Sequence, residues 1–211
     1  MSGREKKASS FERKKGGRKP NKRYLIVCEG SKTEPTYFSE MRHDLRLRTA
    51  DIRVCGKECG SDPVSVYRYA LDLYEVEKNG AQYDGVFCVF DKDEHKNIDE
   101  ATRLIGKHAG VFHRVLSYPC FEYWLLLHYV KRVSAFAKTA SKSIGGVVES
   151  ELKKHDRAYQ KGGRGVWGRY KDKLDFAIQN SAEILKKAES SDNFNPSTSV
   201  HTLVELLRSF K

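Results

Sequence analysis

An α/β fold is what this sequence predicts: about four mostly parallel strands flanked by helices, with a helical C-terminal extension. Three observations carry the expectation. Short, continuous apolar runs at Tyr24–Cys28 and Gly85–Phe90 have the length and unbroken hydrophobicity of strands buried on both faces. Segments of helical periodicity separate these runs. The intervals between them are long enough for the helical crossovers that parallel strands require.

The elements follow in order. Residues 1–23 carry ten Lys and Arg against two acids and few apolar side chains, which predicts a disordered basic arm. Tyr24–Cys28 is the first strand. Thr33-Glu34-Pro35 then opens a helix, with Thr33 as a cap, Pro35 in the first turn, and Tyr37, Phe38, Met41 and Leu45 at helical spacing. Ile52–Cys55 reads as a short strand. Asp62-Pro63 begins a second helix, with Val66, Tyr69, Ala70 and Leu73 on one face, ending near Asn79-Gly80. A strand at 85–90, a helix at 99–108 and a strand at 111–116 follow. Ser117-Tyr118-Pro119 turns into an apolar helix over Phe121–Val130. Beyond it the pattern is helical: Leu174, Ile178, Ala182 and Leu185 form a stripe in 171–189, and Asn195-Pro196-Ser197-Thr198 marks the start of a last helix. Between them Lys161–Gly165 reads as a mobile basic loop. The predicted organisation is therefore a basic arm at 1–23, an α/β domain at 24–130, and a helical extension at 131–211 packed on that domain.

Charge narrows the partners. The net charge is +11, but residues 24–130 balance at −4 while 131–189 balance at +7. An acidic middle between basic flanks suits a carboxylate site that handles a polyanion such as nucleic acid; a solvated basic surface is the plainer explanation. Five scattered cysteines and no secretory segment predict a reduced, cytoplasmic protein. Cys55 and Cys59 with His43 nearby lack the second close pair of a structural zinc site. No apolar stretch reaches the roughly 20 residues that span a bilayer, so no membrane partner is expected.

The chemistry lies at strand ends. In an open parallel sheet, ligands bind at the carboxyl ends of the strands. Glu29-Gly30 ends the first run, and Asp91-Lys92-Asp93 ends the third. Asp91 and Asp93 stand at i and i+2, so both point the same way in extended chain. Paired carboxylates are costly without a cation, and Mg²⁺ takes one or two carboxylates plus water and phosphate oxygens. A solvated loop acid at Glu29 and an N-cap cluster at Asp91 and Asp93 are the competing readings. Glu122 is either a fourth acid at the same edge or a first-turn residue meeting a helix dipole. Lys32 is either a phosphate contact or a surface lysine. His128 fits a packed histidine, and Ser197, Thr198 and His201 fit either the site or helix capping.

Several blocks resemble a known family. Tyr24-Leu25-Ile26-Val27-Cys28-Glu29-Gly30 with Lys32-Thr33-Glu34 and Tyr37-Phe38 looks like the opening of the RloB-like family, of the Toprim superfamily. Val89-Phe90-Asp91-Lys92-Asp93-Glu94-His95 resembles its Asp-x-Asp motif. Ser117–His128 and Asn195–His201 resemble two further blocks. The resemblance implies a Toprim-like fold in which Glu29 is the general acid/base and Asp91 and Asp93 hold Mg²⁺, with Mn²⁺ as a substitute. It also implies nuclease activity in anti-phage defence, including abortive infection, beside a separately encoded ATPase. One departure stands out: His95 occupies the position where many Toprim proteins place another acid. Either Glu94 or Glu122 replaces it, or the site holds one metal more weakly.

The sequence thus predicts a Mg²⁺-dependent nuclease with Glu29, Asp91, Asp93 and Glu122 as catalytic residues, and Lys32, His95, Lys161, Arg164 and Arg169 on nucleic acid. Two alternatives remain: a non-catalytic nucleic-acid-binding or adaptor subunit of a defence ATPase complex, and a primase-like nucleotidyl transferase. No Walker phosphate loop and no Gly-x-Ser-x-Gly elbow occurs.

Overall fold

The computed structural model describes residues 22–48, 50–54, 62–77, 80, 82–92 and 97–210. Almost all of the basic arm lies outside them, as do Cys55, Cys59, Asp93, Glu94 and His95. The elements run β1 (Tyr24–Cys28), α1 (Thr33–Asp44), β2 (Ala50–Val54), α2 (Pro63–Val76), β3 (Gly85–Asp91), α3 (Ile98–Gly106), β4 (Phe112–Tyr118) and α4 (Glu122–Leu126). There follow α5 (Ile144–His155), α6 (Val166–Tyr170), a 3₁₀ turn at Lys171–Lys173, α7 (Leu174–Ser191), β5 (Ser197–Thr198) and α8 (Val200–Arg208).

The sheet order is β2-β1-β3-β4-β5. Pairings β1–β2, β1–β3 and β3–β4 are parallel, whereas β5 runs antiparallel to β4 through Ser117 opposite Thr198. Alternation along the strands divides the core. Tyr24, Ile26 and Cys28 of β1 with Phe87 and Val89 of β3 pack with α1 and α4–α8 on one face. Leu25, Val27, Val86, Cys88 and Phe90 pack with α2 and α3 on the other. Burial on both faces explains why β1 and β3 are unbroken apolar runs.

Four departures from the expected elements have local causes. Thr33 does not cap α1: Lys32 holds the cap position, and the Thr33 hydroxyl accepts the Gly162 N–H at 3.3 Å. The apolar helix after Pro119 spans only Glu122–Leu126, because the chain then tightens through His128 N–H to Leu125 carbonyl (3.2 Å) and Tyr129 N–H to Leu126 carbonyl (2.9 Å). The buried stripe of α7 is Leu174, Ala177, Asn180, Ser181, Ile184 and Ala188, with Ala182 exposed. Asn180 and Ser181 tolerate burial because they donate to the carbonyls of Leu127 (3.0 Å) and Thr198 (2.8 Å). Ser197 and Thr198 form β5 rather than a helix cap. Asp62 does cap α2, accepting from the Val64 and Ser65 N–H groups. Among the described residues no helix is long and apolar enough to cross a membrane.

Candidate active site

The site forms where β1, β3 and β4 end side by side. Cys28 is in register with Val89, and the Glu29 N–H continues the ladder to the Val89 carbonyl at 2.9 Å. The Asp91 N–H in turn donates to Glu29 Oε2 at 3.3 Å. The two acids that the sequence assigned to two strand ends therefore meet, because β1 and β3 are neighbours in the sheet. On the other side Asp91 is in register with Ser117 of β4, and three residues of turn after Tyr118 deliver Glu122 to the first turn of α4. Glu122 is only 2% exposed. Its Oε1 accepts from the Tyr159 hydroxyl at 2.9 Å and pairs with Lys161 Nζ at 3.3 Å.

A fourth acid comes from α1. Glu34 is buried in the first helical turn, with its carboxylate lying where a side chain on Gly30 would have to go. Gly30 thus leaves room for the Glu34 carboxylate, which a side chain there would push aside. Burial raises the Glu34 carboxyl to about 7; its own backbone N–H and Lys161 oppose the rise, while Glu122 and Glu29 reinforce it. Asp91 is raised well above the usual carboxylate range, first by burial and then by Glu34 and Glu122, against a hydrogen bond from the Phe121 backbone. The neighbouring thiols of Cys28 and Cys120 are also pushed up, mainly by burial. Lys161 is raised: burial works against its charge, but Glu122, Cys120 and Glu34 together outweigh it. Among the described residues the site is a cluster of mutually repelling carboxylates with the Lys161 ammonium beside Glu122.

The remaining expected residues divide. Lys32 is exposed beside the loop, with its aliphatic stem against Gly162. Lys161 points into the acid cluster. Arg164 is exposed, and Arg169 is held by Asp156 at 3.1 Å, on which the Tyr170 hydroxyl also rests at 2.9 Å. The Lys161–Gly165 loop is pinned: Gly162 donates to Thr33, and Gly165 donates to Glu40 at 2.6 Å. Thr198 bonds Ser117 at 3.0 Å and His201 bonds Ser181 at 2.7 Å, ties that fasten β5 and α8. His128 is a packed histidine, its Nδ1 3.0 Å from the Trp124 carbonyl, and burial lowers it to about 4. Asp93 and His95 lie outside the described residues.

Sequence reasoning missed Glu34 and Tyr159. Glu34 was visible five residues after Glu29, but an acid in a first helical turn already has an explanation in the helix dipole. Tyr159 had no signal, since its role depends on a fold-back over 37 residues. Among the described residues, no group of three or more His, Cys, Asp and Glu side chains is spaced to hold a metal ion. The donor set is nonetheless all oxygen and under mutual repulsion, the chemistry that suits a hard cation.

A family model described as RloB-like protein matches residues 24–207. No curated protein and no solved structure matches the chain.

Proposed function

The chain belongs to the RloB-like family, and on that premise we propose that it is a divalent-cation-dependent enzyme that hydrolyses nucleic acid phosphodiesters. The observation that supports this best is the meeting of Glu29, Glu34, Asp91 and Glu122 at one sheet edge, where charge repulsion and burial raise Glu34 and Asp91. Glu29 and Asp91 would hold Mg²⁺ or Mn²⁺, with Asp93 as the third acid the sequence offers. Such an ion supplies charge compensation on the phosphodiester and a more acidic water. Glu34, held at about 7, takes and returns a proton near neutral pH, which suits a general base. Glu29 is the other candidate for that role, by resemblance. Tyr159 and Lys161 fix Glu122 by hydrogen bond and charge. The resemblance to RloB-like proteins extends the reading to anti-phage defence beside a separately encoded ATPase, and the five cysteines extend it to a reducing cytoplasm.

One observation favours the adaptor reading: Lys161 already compensates Glu122, as it would in a site that serves only the fold. Incubating the protein with labelled DNA and RNA, with Mg²⁺ or Mn²⁺, separates the two. Glu29→Gln and Asp91→Asn should each lower cleavage by about 100-fold or more. Full activity in both variants would remove this site from the reaction. Salt-dependent binding without cleavage of any substrate would leave the adaptor.

A further inference from the structure

The far end of α1 carries a second feature. Beyond Asp44 the chain closes in a Schellman motif: Leu47 N–H reaches the Arg42 carbonyl at 2.9 Å, and Arg46 N–H reaches the His43 carbonyl at 3.1 Å. The residue between the cap and Leu47 must take left-handed backbone, and Arg46 does so at φ 56°. Glycine is the usual occupant, because an L side chain there costs roughly 1–2 kcal/mol. Ser39, Arg42, His43, Arg46, Leu47 and Arg48 line a cleft of about 660 Å³ at this point. Arg42, His43, Arg46 and Arg48 are all exposed; among the described residues no acid lines the cleft and none of the four has an ion pair.

The dipole of α1 accounts for cations at Arg42 and His43 in its last turn, but not for Arg46 and Arg48 beyond it. The acids of this helix end are turned away. Glu40 accepts from the Gly165 and Trp167 N–H groups, and Asp44 accepts from Trp167 Nε1 at 2.9 Å and pairs with Lys171 at 3.1 Å. One side of the helix end is thus neutralised internally, while the other holds like charges in a concavity, at a position where an arginine replaces the less strained glycine. Like charges gathered with no counter-charge among the described residues destabilise the fold, so an external anion is the natural partner. Guanidinium groups bind phosphate oxygens in pairs.

We infer that this arginine cleft is a docking surface for the phosphate backbone of the nucleic acid strand, away from the position where it is cleaved. The inference rests on nucleic acid as substrate but not on catalysis. The 12 residues of α1 separate the cleft from the acid cluster by about 18 Å, so the strand contacted lies about five nucleotides from the reacting phosphate.

The test is a fluorescence-anisotropy titration of a labelled 20-nucleotide strand with the full chain, in EDTA so that nothing is cleaved. Three proteins are compared: wild type, the Arg46→Gly/Arg48→Gln pair, and the Arg103→Gln/Lys107→Gln pair on and just after α3, which removes the same charge elsewhere. The cleft pair should bind about tenfold more weakly at 150 mM salt, and the slope of log K against log salt should fall by about 1.5. The α3 pair should stay within about twofold of wild type. Arg46→Gly alone should not lower the melting temperature, since glycine relieves the left-handed backbone. Equal losses in both pairs, or no loss in the cleft pair, overturn the inference, as does a wild type that binds no strand. Binding that depends on the cleft beside absent cleavage sustains it and removes the nuclease reading instead.

Discussion

Glu34 holds a carboxyl against glycine backbone, out of water and near other acids. Its folded value of about 7 stands above the ordinary 4.5. The fold therefore favours the protonated form, and this stabilisation is complete below about 4.5 and lost as pH rises through about 7. Glu34→Gln keeps a neutral hydrogen-bonding group of the same shape. Its melting temperature in EDTA should exceed that of wild type at pH 8 and converge with it toward pH 5, each kcal/mol being worth about 2–4 °C in a chain of this size. A pH series of thermal melts reads this directly. A variant less stable than wild type at pH 8 would mean that the Glu34 charge is already compensated. At the same scale Glu29 and Asp91 were legible, because each ends an apolar run. Glu34 was not, because a helix start explains it equally well.

Between elements, a few side chains decide how the segment after α5 meets α1. Glu40 of α1 accepts the N–H groups of Gly165 and Trp167 at 2.6 and 2.9 Å, and so satisfies donors at the start of α6. The same fastening holds the loop that carries Lys161 toward Glu122. Replacing Glu40 with Ala should cost about 1–3 kcal/mol and raise amide exchange across residues 161–170 more than elsewhere. Hydrogen exchange by mass spectrometry measures it, and uniform exchange across the chain would contradict a local fastening. Periodicity located α7 but misplaced its buried stripe, since Asn180 and Ser181 look solvent-facing until Leu127 and Thr198 provide carbonyls. The Lys161–Gly165 loop misled in the opposite sense. Its glycines suggested mobility, yet Thr33, Glu40 and Glu122 hold it.

Across the whole molecule, one core joins the α/β half to the segments that follow it. Trp124, Leu125 and Leu126 of α4 share a cluster with Val148 and Leu152 of α5 and with Leu203, Val204 and Leu207 of α8, all essentially buried. Each such side chain contributes about 1.5–3 kcal/mol, so losing α5–α8 removes an amount comparable to the whole stability of a domain, about 5–15 kcal/mol. A chain ending at residue 130 should therefore fail to fold, with weak far-ultraviolet helicity and no near-ultraviolet aromatic signal. A cooperative thermal transition in that fragment would show that the two halves are separable.

The sequence by itself determined the α/β class, the mostly parallel sense of its strands, the family, and two of the acids at the strand ends. These depend on local patterns: hydrophobic runs of strand length, helical periodicity between them, and charges placed where such runs stop. Only the tertiary structure decided that Glu34, Glu122, Tyr159 and Lys161 join Glu29 and Asp91, that Ser197 and Thr198 add an antiparallel edge strand, and that the arginines after α1 line one cleft. The acid cluster and the edge strand depend on segments far apart in sequence folding onto one sheet edge, whereas the cleft depends on the left-handed turn that closes α1. Burial and neighbouring charge then give a residue such as Glu34 properties that no local pattern encodes.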